Sequence, residues 1–288
     1  MKNAIRKVLN SLCGNDDELQ SIQQLGGGSI NQVYKVKYRN QFFVIKQNSS
    51  TKFPGMFERE AEGLGLLKQY SSFTIPDVIG YTDFENNSFL VLEYIASSAP
   101  SNIFFEIFAQ QLAQLHQNSS PFFGLHHNNY MGSLQQSNSE SKSFYDFFLQ
   151  ERLIKLCSKA LEKNLISNKT IRNIERAWKS KKEQFEERKP QFIHGDLWSG
   201  NYLVNEKGEP CLIDPAVYFG IGELDIAMSK LFGGFDQKFY QVYNEINPPG
   251  YEYDEVIELL TLYPLLVHLI LFGTSYLAPI EQIVKRYD

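Results

Sequence analysis

A short polar loop between two strand-like runs constrains the fold of this 288-residue chain more than any other feature. It lies in Phe192–Asn201, FIHGDLWSGN, and is followed by the strand-like run YLVN and, after one turn, by LIDP. Asp196 and Asn201 are close enough along the loop to converge on one point, and Asp214 ends the next strand. Asp196 can accept a hydroxyl proton, whereas Asn201 and Asp214 are hard oxygen ligands for a magnesium ion that bridges phosphates. Any one of them alone could equally bond its own turn, but the ordered set predicts a phosphate-binding site.

A lysine and a glutamate in the first hundred residues form a second candidate pair. Lys46 ends a strand-like run, where an isolated lysine is ordinarily solvated. A helix is predicted over Gly55–Gln69, and at about 100° per residue Glu60 falls within its apolar stripe, while Glu58 and Glu62 point elsewhere. The stripe is formed by Phe57, Ala61, Leu64 and Leu67. An unpaired carboxylate there is unfavourable, so Lys46 is the natural partner, and the pair would hold the lysine against nucleotide phosphates.

A run of glycines is a third candidate. The segment Leu25–Val36 reads LGGGSINQVYKV, and strands are predicted on both sides of the turn, over Ser21–Leu25 and Gln32–Tyr38. Backbone N–H groups in such a run can approach phosphate oxygens closely. The candidate phosphate-binding residues are Gly26, Gly27, Gly28 and Ser29. No Lys-Ser or Lys-Thr pair follows, which excludes a Walker A loop, and a flexible hairpin turn would explain the run equally well.

The order of the predicted elements indicates an α+β chain with two parts. Strands and one main helix fill the first hundred residues, and the linker-like segment Ala96–Ser101, ASSAPS, follows. Beyond it the apolar spacing is mainly helical. Helices are predicted over Asn102–Gln117, Phe144–Leu165 and Ile171–Arg188, and a β-hairpin over Tyr202–Asn205 and Cys211–Asp214. We therefore expect a small N-terminal β-sheet lobe at residues 1–96 and a larger, mostly helical C-terminal lobe at residues 97–288.

Charge, cysteine usage and hydropathy argue against several classes of function. Lys and Arg number 28 against 33 Asp and Glu, a formal charge of −5, so no nucleic-acid or anionic membrane partner is expected. The 3 cysteines show neither a disulfide framework nor a zinc-binding spacing, which indicates a reducing, cytoplasmic compartment. Leu259–Ala278 is apolar enough to resemble a membrane span, but it contains Pro264 and His268. We expect it to form a buried core helix, bent near Pro264, in a soluble protein.

Taken together, these segments resemble a protein-kinase-like fold. HGDLWSGN is similar to the catalytic loop of the small-molecule kinase branch, which includes aminoglycoside phosphotransferases and choline kinases. More closely, the chain resembles the fructosamine kinase (ketosamine-3-kinase) family. The matching segments span nearly the whole chain: GGGSINQVYKV, FPGMFEREAEGLGLL, IPDVIGY, FGLHHNNYMGSLQQSN, FIHGDLWSGN, LIDPAVYFGIGELDIAMSKLFGGF and LFGTSY. The resemblance implies a deglycation kinase that uses ATP and Mg²⁺ to phosphorylate the 3-hydroxyl group of fructosamines or ribulosamines.

The resemblance also implies a role for each residue that matches a family motif. Asp196 matches the catalytic base, and Asn201 and Asp214 match the magnesium ligands. Lys46 with Glu60 matches the clamp that holds the α- and β-phosphates of ATP.

Three further assignments rest on the resemblance. FLVLEYI matches the hinge strand, so the backbone of Glu93, Tyr94 and Ile95 would contact adenine. Asp225 matches an acidic position that braces the catalytic loop, with a plain helix N-cap as the alternative. Trp198 lies beside the catalytic base and would stack on the sugar, with core packing as the alternative.

Other functions are also compatible with the sequence. A kinase for another small alcohol, such as an aminoglycoside or choline, would share the ATP-binding residues. An aminoglycoside acceptor should favour an acidic pocket, for which Glu252–Glu258 is the candidate, although this run would also suit a solvated helix start. A nucleotide-binding pseudokinase requires the loss of a catalytic group, yet the whole predicted set is present. We expect a small-molecule or protein-bound ketosamine as partner and a monomer or weak dimer.

Overall fold

The computed structural model describes residues 1–14, 17–26 and 30–287, and these residues form two compact units. Unit 1 consists of Met1–Gln69, Phe73–Phe104 and Gly200–Pro215. Unit 2 consists of Tyr70–Ser72, Phe105–Ser199 and Ala216–Asp288. Unit 1 therefore contains a late segment of the chain in addition to the N-terminal ones, and the lobe boundary at residues 96 and 97 stays a prediction.

Both helices and strands are abundant, which confirms the predicted α+β class. The strands of the described residues are β1 (Leu19–Leu25), β2 (Gln32–Tyr38), β3 (Gln41–Ser49), β4 (Val78–Phe84), β5 (Asn87–Glu93), β6 (Asn129–Met131), β7 (Leu134–Gln136), β8 (Gln191–Ile193), β9 (Tyr202–Val204), β10 (Pro210–Leu212) and β11 (Tyr218–Gly220). The α-helices are α1 (Lys2–Cys13), α2 (Met56–Tyr70), α3 (Phe104–Leu115), α4 (Phe144–Phe147), α5 (Lys155–Glu162), α6 (Asn168–Ser180), α7 (Glu223–Leu231), α8 (Gln237–Ile246), α9 (Tyr253–Leu260), α10 (Leu262–Phe272) and α11 (Leu277–Lys285). A π-helical stretch, Phe148–Ile154, continues α4 into α5, and short 3-10 turns lie at Lys182–Gln184 and Thr274–Tyr276.

Unit 1 is built on a five-stranded antiparallel sheet with the order β1-β2-β3-β5-β4. The strands predicted on both sides of the glycine run are present as β1 and β2, and the FLVLEYI strand is β5, which ends at Glu93. Arg39 and Asn40 connect β2 to β3 with positive φ angles of 51° and 60°, which suit the twist of a two-residue hairpin. The helix predicted over Gly55–Gln69 is present as α2.

Besides α2, the N-terminal helix α1 belongs to unit 1 and packs on this sheet. This helix is not predicted from the sequence. Its apolar residues Ile5, Val8 and Leu9 are buried in one core with residues of β1, β2, β3 and β5. Gly80 of β4 makes room for the helix, because a Cβ atom there would lie 2.8 Å from Leu12 Cδ2. Each fully buried aliphatic side chain contributes about 1.5–3 kcal/mol, so α1 is an integral part of unit 1.

Unit 2 is mainly helical and has its own aromatic core. The helix predicted over Phe144–Leu165 is present as α4, the π-helical stretch and α5, and the helix predicted over Ile171–Arg188 is present as the shorter α6. Trp178 of α6 is fully buried and stacks on Phe148 and Phe185, with ring centroids 4.7 and 4.3 Å apart. The predicted helical character of this part of the chain is confirmed.

The apolar stretch near the C-terminus forms α9 and α10. Among the described residues, one segment, Tyr253–Phe272, is long and apolar enough to cross a membrane, and 72% of an 18-residue window within it is buried inside the structure. Such burial is typical of a core helix. The helix breaks at Thr261, between α9 and α10, because Pro264 has no N–H group to donate to the carbonyl group of Leu260. The predicted bend is therefore present, three residues before the proline.

Candidate active site

A buried lysine of β3 is held by two carboxylates within unit 1. Lys46 is 5% exposed, and its Nζ atom donates to Glu60 Oε1 at 2.5 Å and to Asp214 Oδ1. The predicted Lys46–Glu60 pair is thus present in the structure. The side chain of Glu60 is 11% exposed, against 42% for Glu58 and 39% for Glu62, as the apolar stripe of α2 requires.

We call Lys46, Glu60 and Asp214 the lysine cluster, and its charges do not balance. One ammonium group faces two carboxylates, so the cluster has an excess of negative charge. Burial alone would lower the pKa of Lys46, but the carboxylates of Asp214 and Glu60 outweigh burial and raise that pKa above its ordinary value. Burial raises the pKa of Glu60, and the ammonium of Lys46 opposes this shift. Lys46 therefore stays charged at neutral pH.

A β-hairpin of unit 1 carries both predicted magnesium ligands. β9 and β10 pair antiparallel, and beyond the paired strands Ile213 N donates to Asn201 O at 3.1 Å. This register puts Asn201 and Asp214 at the same open end of the hairpin. Asn201 is buried, whereas the side chain of Asp214 is 42% exposed. Asp214 also adopts a left-handed φ of 54°, which is uncommon outside glycine and is found at strained functional positions.

The loop that carries Asp196 is fixed by hydrogen bonds within unit 2. Asp225 is fully buried and accepts from His194 N through Oδ2 at 2.8 Å and from Gly195 N through Oδ1 at 2.9 Å. Gly195 has a φ of 82°, and a Cβ atom there would lie 2.2 Å from Ala216 O, so glycine alone fits. Asp196 directly follows these two hydrogen-bonded residues, so the position of its backbone is restricted.

The position of Asp225 in α7 decides between its two predicted roles. The helix begins at Glu223 and its N-cap residue is Gly222, so Asp225 lies inside the first turn. The N-cap alternative is therefore wrong. Its carboxylate instead binds the backbone of the loop, as the family motif implies.

Trp198 is not a core residue. The residue is 37% exposed. Its indole ring makes an edge-to-face contact with the ring of Phe232, and the two centroids are 6.0 Å apart. Phe232 in turn packs on the ring of His268 at 4.6 Å. The core-packing alternative is therefore wrong, and stacking of the indole ring on a sugar stays a prediction.

The glycine run joins β1 to β2, which are neighbouring antiparallel strands. Gly26 is exposed at the end of β1. Gly27, Gly28 and Ser29 lie outside the described residues, so their contact with phosphate stays a prediction.

The predicted adenine contacts lie at the end of β5. The N–H group of Glu93 donates to Asp77 O at 2.8 Å, so this group is already used inside unit 1. The ring of Tyr94 faces Lys35, whose Nζ atom lies 3.8 Å from the ring centroid. Adenine contacts through the other backbone groups of Glu93, Tyr94 and Ile95 stay a prediction.

Sequence reasoning missed the direct bond between Lys46 and Asp214. The two residues are 168 positions apart, and no periodic pattern links a strand of the first sheet to a hairpin so far along the chain. The sequence predicts Asp214 as a metal ligand alone, whereas in the structure its carboxylate also forms an ion pair with Lys46.

The fold and these residues define a class of protein. A Lys–Glu pair between a strand of an antiparallel sheet and the helix α2, an Asn and an Asp at one end of a hairpin, and a braced loop aspartate are the parts of a kinase-type, ATP-dependent phosphotransferase. A sequence profile of the family described as Fructosamine kinase matches residues 1–287. The chain belongs to this family, which confirms the resemblance seen in the sequence motifs.

Relatives of known name agree with this membership. A probable ketoamine kinase of Enterococcus faecium is 36% identical over 268 residues, with 91% of this chain and 93% of that protein covered. A probable ketoamine kinase of Synechocystis sp. is 33% identical over 287 residues, with 98% and 95% covered. The chain is therefore similar to these proteins over nearly its full length.

Solved structures support the protein-kinase-like fold. A crystal structure of a protein provisionally named a fructosamine-3-kinase, from Haemophilus somnus, has a TM-score of 0.90 and 30% identity, with 100% of this chain and 97% of that chain covered. A thermostable mutant of aminoglycoside phosphotransferase APH(4)-Ia, in a ternary complex with AMP-PNP and hygromycin B, has a TM-score of 0.66, with 98% of each chain covered. At 14% identity the latter shows the shared fold alone.

Proposed function

We propose that this enzyme transfers the γ-phosphoryl group of ATP to the 3-hydroxyl group of a ketosamine, a fructosamine or a ribulosamine, and so acts in deglycation. The observation that carries the proposal is an intact residue set in a chain that matches the family over residues 1–287. The set comprises the lysine cluster of unit 1 and the braced Asp196 of unit 2. The names of the relatives, ketoamine kinases, support the acceptor class.

Lys46 is the proposed ligand of the α- and β-phosphates. Its two carboxylate partners differ in exposure, 11% for Glu60 and 42% for Asp214. The less exposed Glu60 would hold the ammonium group in place, because little water can reach its carboxylate to replace the ion pair. Asp214 is the partner that the ammonium would exchange for phosphate oxygens, since its carboxylate can turn toward solvent or a cation.

Asn201 and Asp214 fit a magnesium ion by the chemistry of their donor atoms. One amide oxygen and one carboxylate are hard ligands, and magnesium commonly takes few protein ligands while phosphate oxygens and water complete its shell. Among the residues that the structure describes, no group of three or more His, Cys, Asp and Glu side chains is placed to hold a metal alone. A cation at this end of the hairpin would therefore share its shell with the nucleotide, and its charge would offset the phosphates.

Asp196 is the proposed base for the acceptor hydroxyl group. Phosphoryl transfer leaves the protein mainly positioning and charge stabilisation to supply. The hydrogen bonds from His194 N and Gly195 N to Asp225 fix the backbone immediately before Asp196. This restricts the positions from which the carboxylate of Asp196 would accept the hydroxyl proton. The exposed indole of Trp198, two residues later in the chain, would offer its face to the sugar.

The cellular setting is part of the same proposal. The charge of −5 and the free thiols of Cys13, Cys157 and Cys211 support a cytoplasmic protein that binds neither nucleic acid nor membranes. We expect a monomer or weak dimer that accepts small-molecule or protein-bound ketosamines. Ser29 follows the glycine run, so that position offers no thiol for redox regulation.

A panel of acceptors tests the proposal. The purified enzyme is given ATP and Mg²⁺ with a fructosamine, a ribulosamine, choline or an aminoglycoside, and ADP release and phosphorylated product are both measured. We expect transfer to a ketosamine, none to the same ketosamine with its 3-hydroxyl group methylated, and a large loss in Asp196→Asn.

The other outcomes each point to a different protein. Transfer to choline or an aminoglycoside, with ketosamines refused, would show a kinase for another alcohol. ATP binding without transfer to any acceptor would show a nucleotide-binding pseudokinase. Transfer to the 3-O-methyl ketosamine would keep the substrate class and overturn the assignment of the hydroxyl group.

A further inference from the structure

A buried chain of three polar side chains ends on the loop that carries Asp196. His116 follows α3 and is 1% exposed, Tyr243 of α8 is 5% exposed, and Asp225 between them and the loop is 0% exposed. His116 Nδ1 lies 2.7 Å from Tyr243 Oη, and His116 Nε2 lies 3.1 Å from Asp225 Oδ2. The same carboxylate accepts from the N–H groups of His194 and Gly195. All of these residues belong to unit 2.

Hydrogen-bond chemistry determines which atom donates and which accepts at each step between Tyr243, His116 and Asp225. An ionised carboxylate only accepts, so the hydrogen atom between His116 and Asp225 must be on His116 Nε2. In the neutral imidazole, Nδ1 is then an acceptor, and the hydroxyl group of Tyr243 donates to it. Burial raises the pKa of Tyr243 well above its ordinary value, with the charges of Glu223 and others adding to the effect, so the phenol keeps its proton. The donors of Tyr243 and His116 therefore point toward Asp225, whose carboxylate also accepts from the N–H groups of the loop.

Close packing keeps the imidazole ring in that orientation. A Cβ atom at Gly222 would lie 2.5 Å from His116 Nδ1 and 2.8 Å from Tyr243 Oη, so only glycine leaves room for the pair. Gln191 ties the surrounding backbone together, because its side chain donates to His116 O at 3.0 Å and accepts from Gly222 N at 2.9 Å. The ring is enclosed by groups that are themselves fixed.

We propose that His116 and Tyr243 are positioning residues for phosphoryl transfer, a role that rests on the proposed function. Asp225 must present each oxygen to a different N–H group of the loop, and rotation about its side chain would break at least one of these bonds. The bond from His116 Nε2 fixes Oδ2, and the bond from Tyr243 fixes His116. Asp196 is thereby held in its position although neither His116 nor Tyr243 touches a substrate.

A matched pair of substitutions at one position tests this role. His116→Gln keeps an amide N–H group near the place of Nε2, whereas His116→Asn is one methylene shorter and does not reach Asp225. Because a hydrogen bond to a charged group is lost in His116→Asn alone, we expect its kcat to fall about 10- to 100-fold, with KM for ATP within about twofold. His116→Gln should retain kcat within about fivefold, since it lacks only the contact with Tyr243.

Amide hydrogen exchange provides a readout that does not depend on the acceptor. In His116→Asn the amides of His194 and Gly195 should exchange about 10- to 100-fold faster, and in His116→Gln they should stay close to the wild-type rate. Leu112→Val is the control, because Leu112 is fully buried one turn earlier in α3. It should lower the melting temperature without changing the exchange of the loop or kcat.

Each result has a defined meaning. If His116→Gln is impaired as much as His116→Asn, or if loop exchange is unchanged in both, the histidine serves packing and the proposal fails. If His116→Asn does not fold, Tyr243→Phe removes a single oxygen atom and should lower kcat about threefold to tenfold, and an unchanged kcat and exchange rate would again overturn the proposal. A wild-type enzyme that refuses every ketosamine would overturn the proposed function, and the exchange rates would still decide the role of His116.

Discussion

Replacing Glu60 by Gln tests the role of the lysine cluster. The ammonium of Lys46 donates to Glu60 at 2.5 Å and to Asp214, so glutamine keeps the shape at position 60 but removes one of two carboxylate partners. Breaking a buried ion pair outright costs about 3–5 kcal/mol, whereas one hydrogen bond to a charged group contributes about 1.5–3 kcal/mol. The smaller range applies, because Asp214 still neutralises the lysine. Since about 1.36 kcal/mol is a tenfold change in rate, we expect kcat/KM for ATP to fall about 10- to 150-fold.

Glu62→Gln in the same helix is the matched control. Glu62 pairs with Arg59 at 2.6 Å, but its side chain is 39% exposed, and an exposed ion pair contributes at most about 1 kcal/mol. Its kcat/KM should therefore stay within about fivefold of wild type. Initial rates are measured at subsaturating ATP with a saturating ketosamine, and thermal melting shows that both variants are folded. Equal losses in the two variants, or no loss in Glu60→Gln, would refute the reasoning.

Three further outcomes follow from the same geometry. Lys46→Met should abolish most phosphotransfer while circular dichroism shows an unchanged fold, and near-normal activity at subsaturating ATP would contradict the clamp. Asp196→Asn should lower kcat about 10²–10⁴-fold with little change in ATP affinity, whereas Asp214→Asn should raise the magnesium requirement and weaken productive ATP binding. The opposite pattern, measured by steady-state kinetics and nucleotide binding, would reverse these two roles. Gly195→Ala should lower the free energy of unfolding by about 2–4 kcal/mol, because its Cβ atom would lie 2.2 Å from Ala216 O, and an unchanged urea midpoint would show that the loop can adapt.

Helical periodicity was sufficient to find the buried carboxylate of α2. The repeat of an α-helix is nearly constant, so the apolar stripe predicts which of Glu58, Glu60 and Glu62 is covered, and the structure agrees. The same reasoning does not reach Asp214 as a second partner of Lys46, because only tertiary packing brings a distant hairpin to the sheet. The motif resemblance implies the role of Asp225. No pattern in the sequence indicates that His116 and Tyr243 extend the hydrogen bonds of this carboxylate.

The strand β4 is not predicted from the sequence, and the burial of its residues gives the physical reason. Along β4 the apolar Ile79 and Tyr81 are exposed, at 38% and 46%, while the small Gly80 faces inward. At Ile79–Tyr81 the usual placement of apolar residues inside and polar residues outside is therefore inverted, whereas Phe84 at the end of the strand packs on the core. The inversion is explained by α1, since Leu12 fills the space that a side chain at position 80 would need. A helix and a strand that depend on each other are hard to predict separately.

The segments of unit 1 are far apart in the chain, so the ribosome synthesises them at different times. The sheet of this unit is encoded before Phe104, but the hairpin Gly200–Pro215 belongs to the same unit. At about 5–20 residues per second, a ribosome needs roughly 5–20 seconds to make the intervening stretch of about 95 residues. During that interval a nascent sheet can already pair Lys46 with Glu60, but Asp214 does not yet exist. Translation order therefore builds the lysine cluster in two stages, and the carboxylate proposed to be exchanged when ATP binds is the last to arrive.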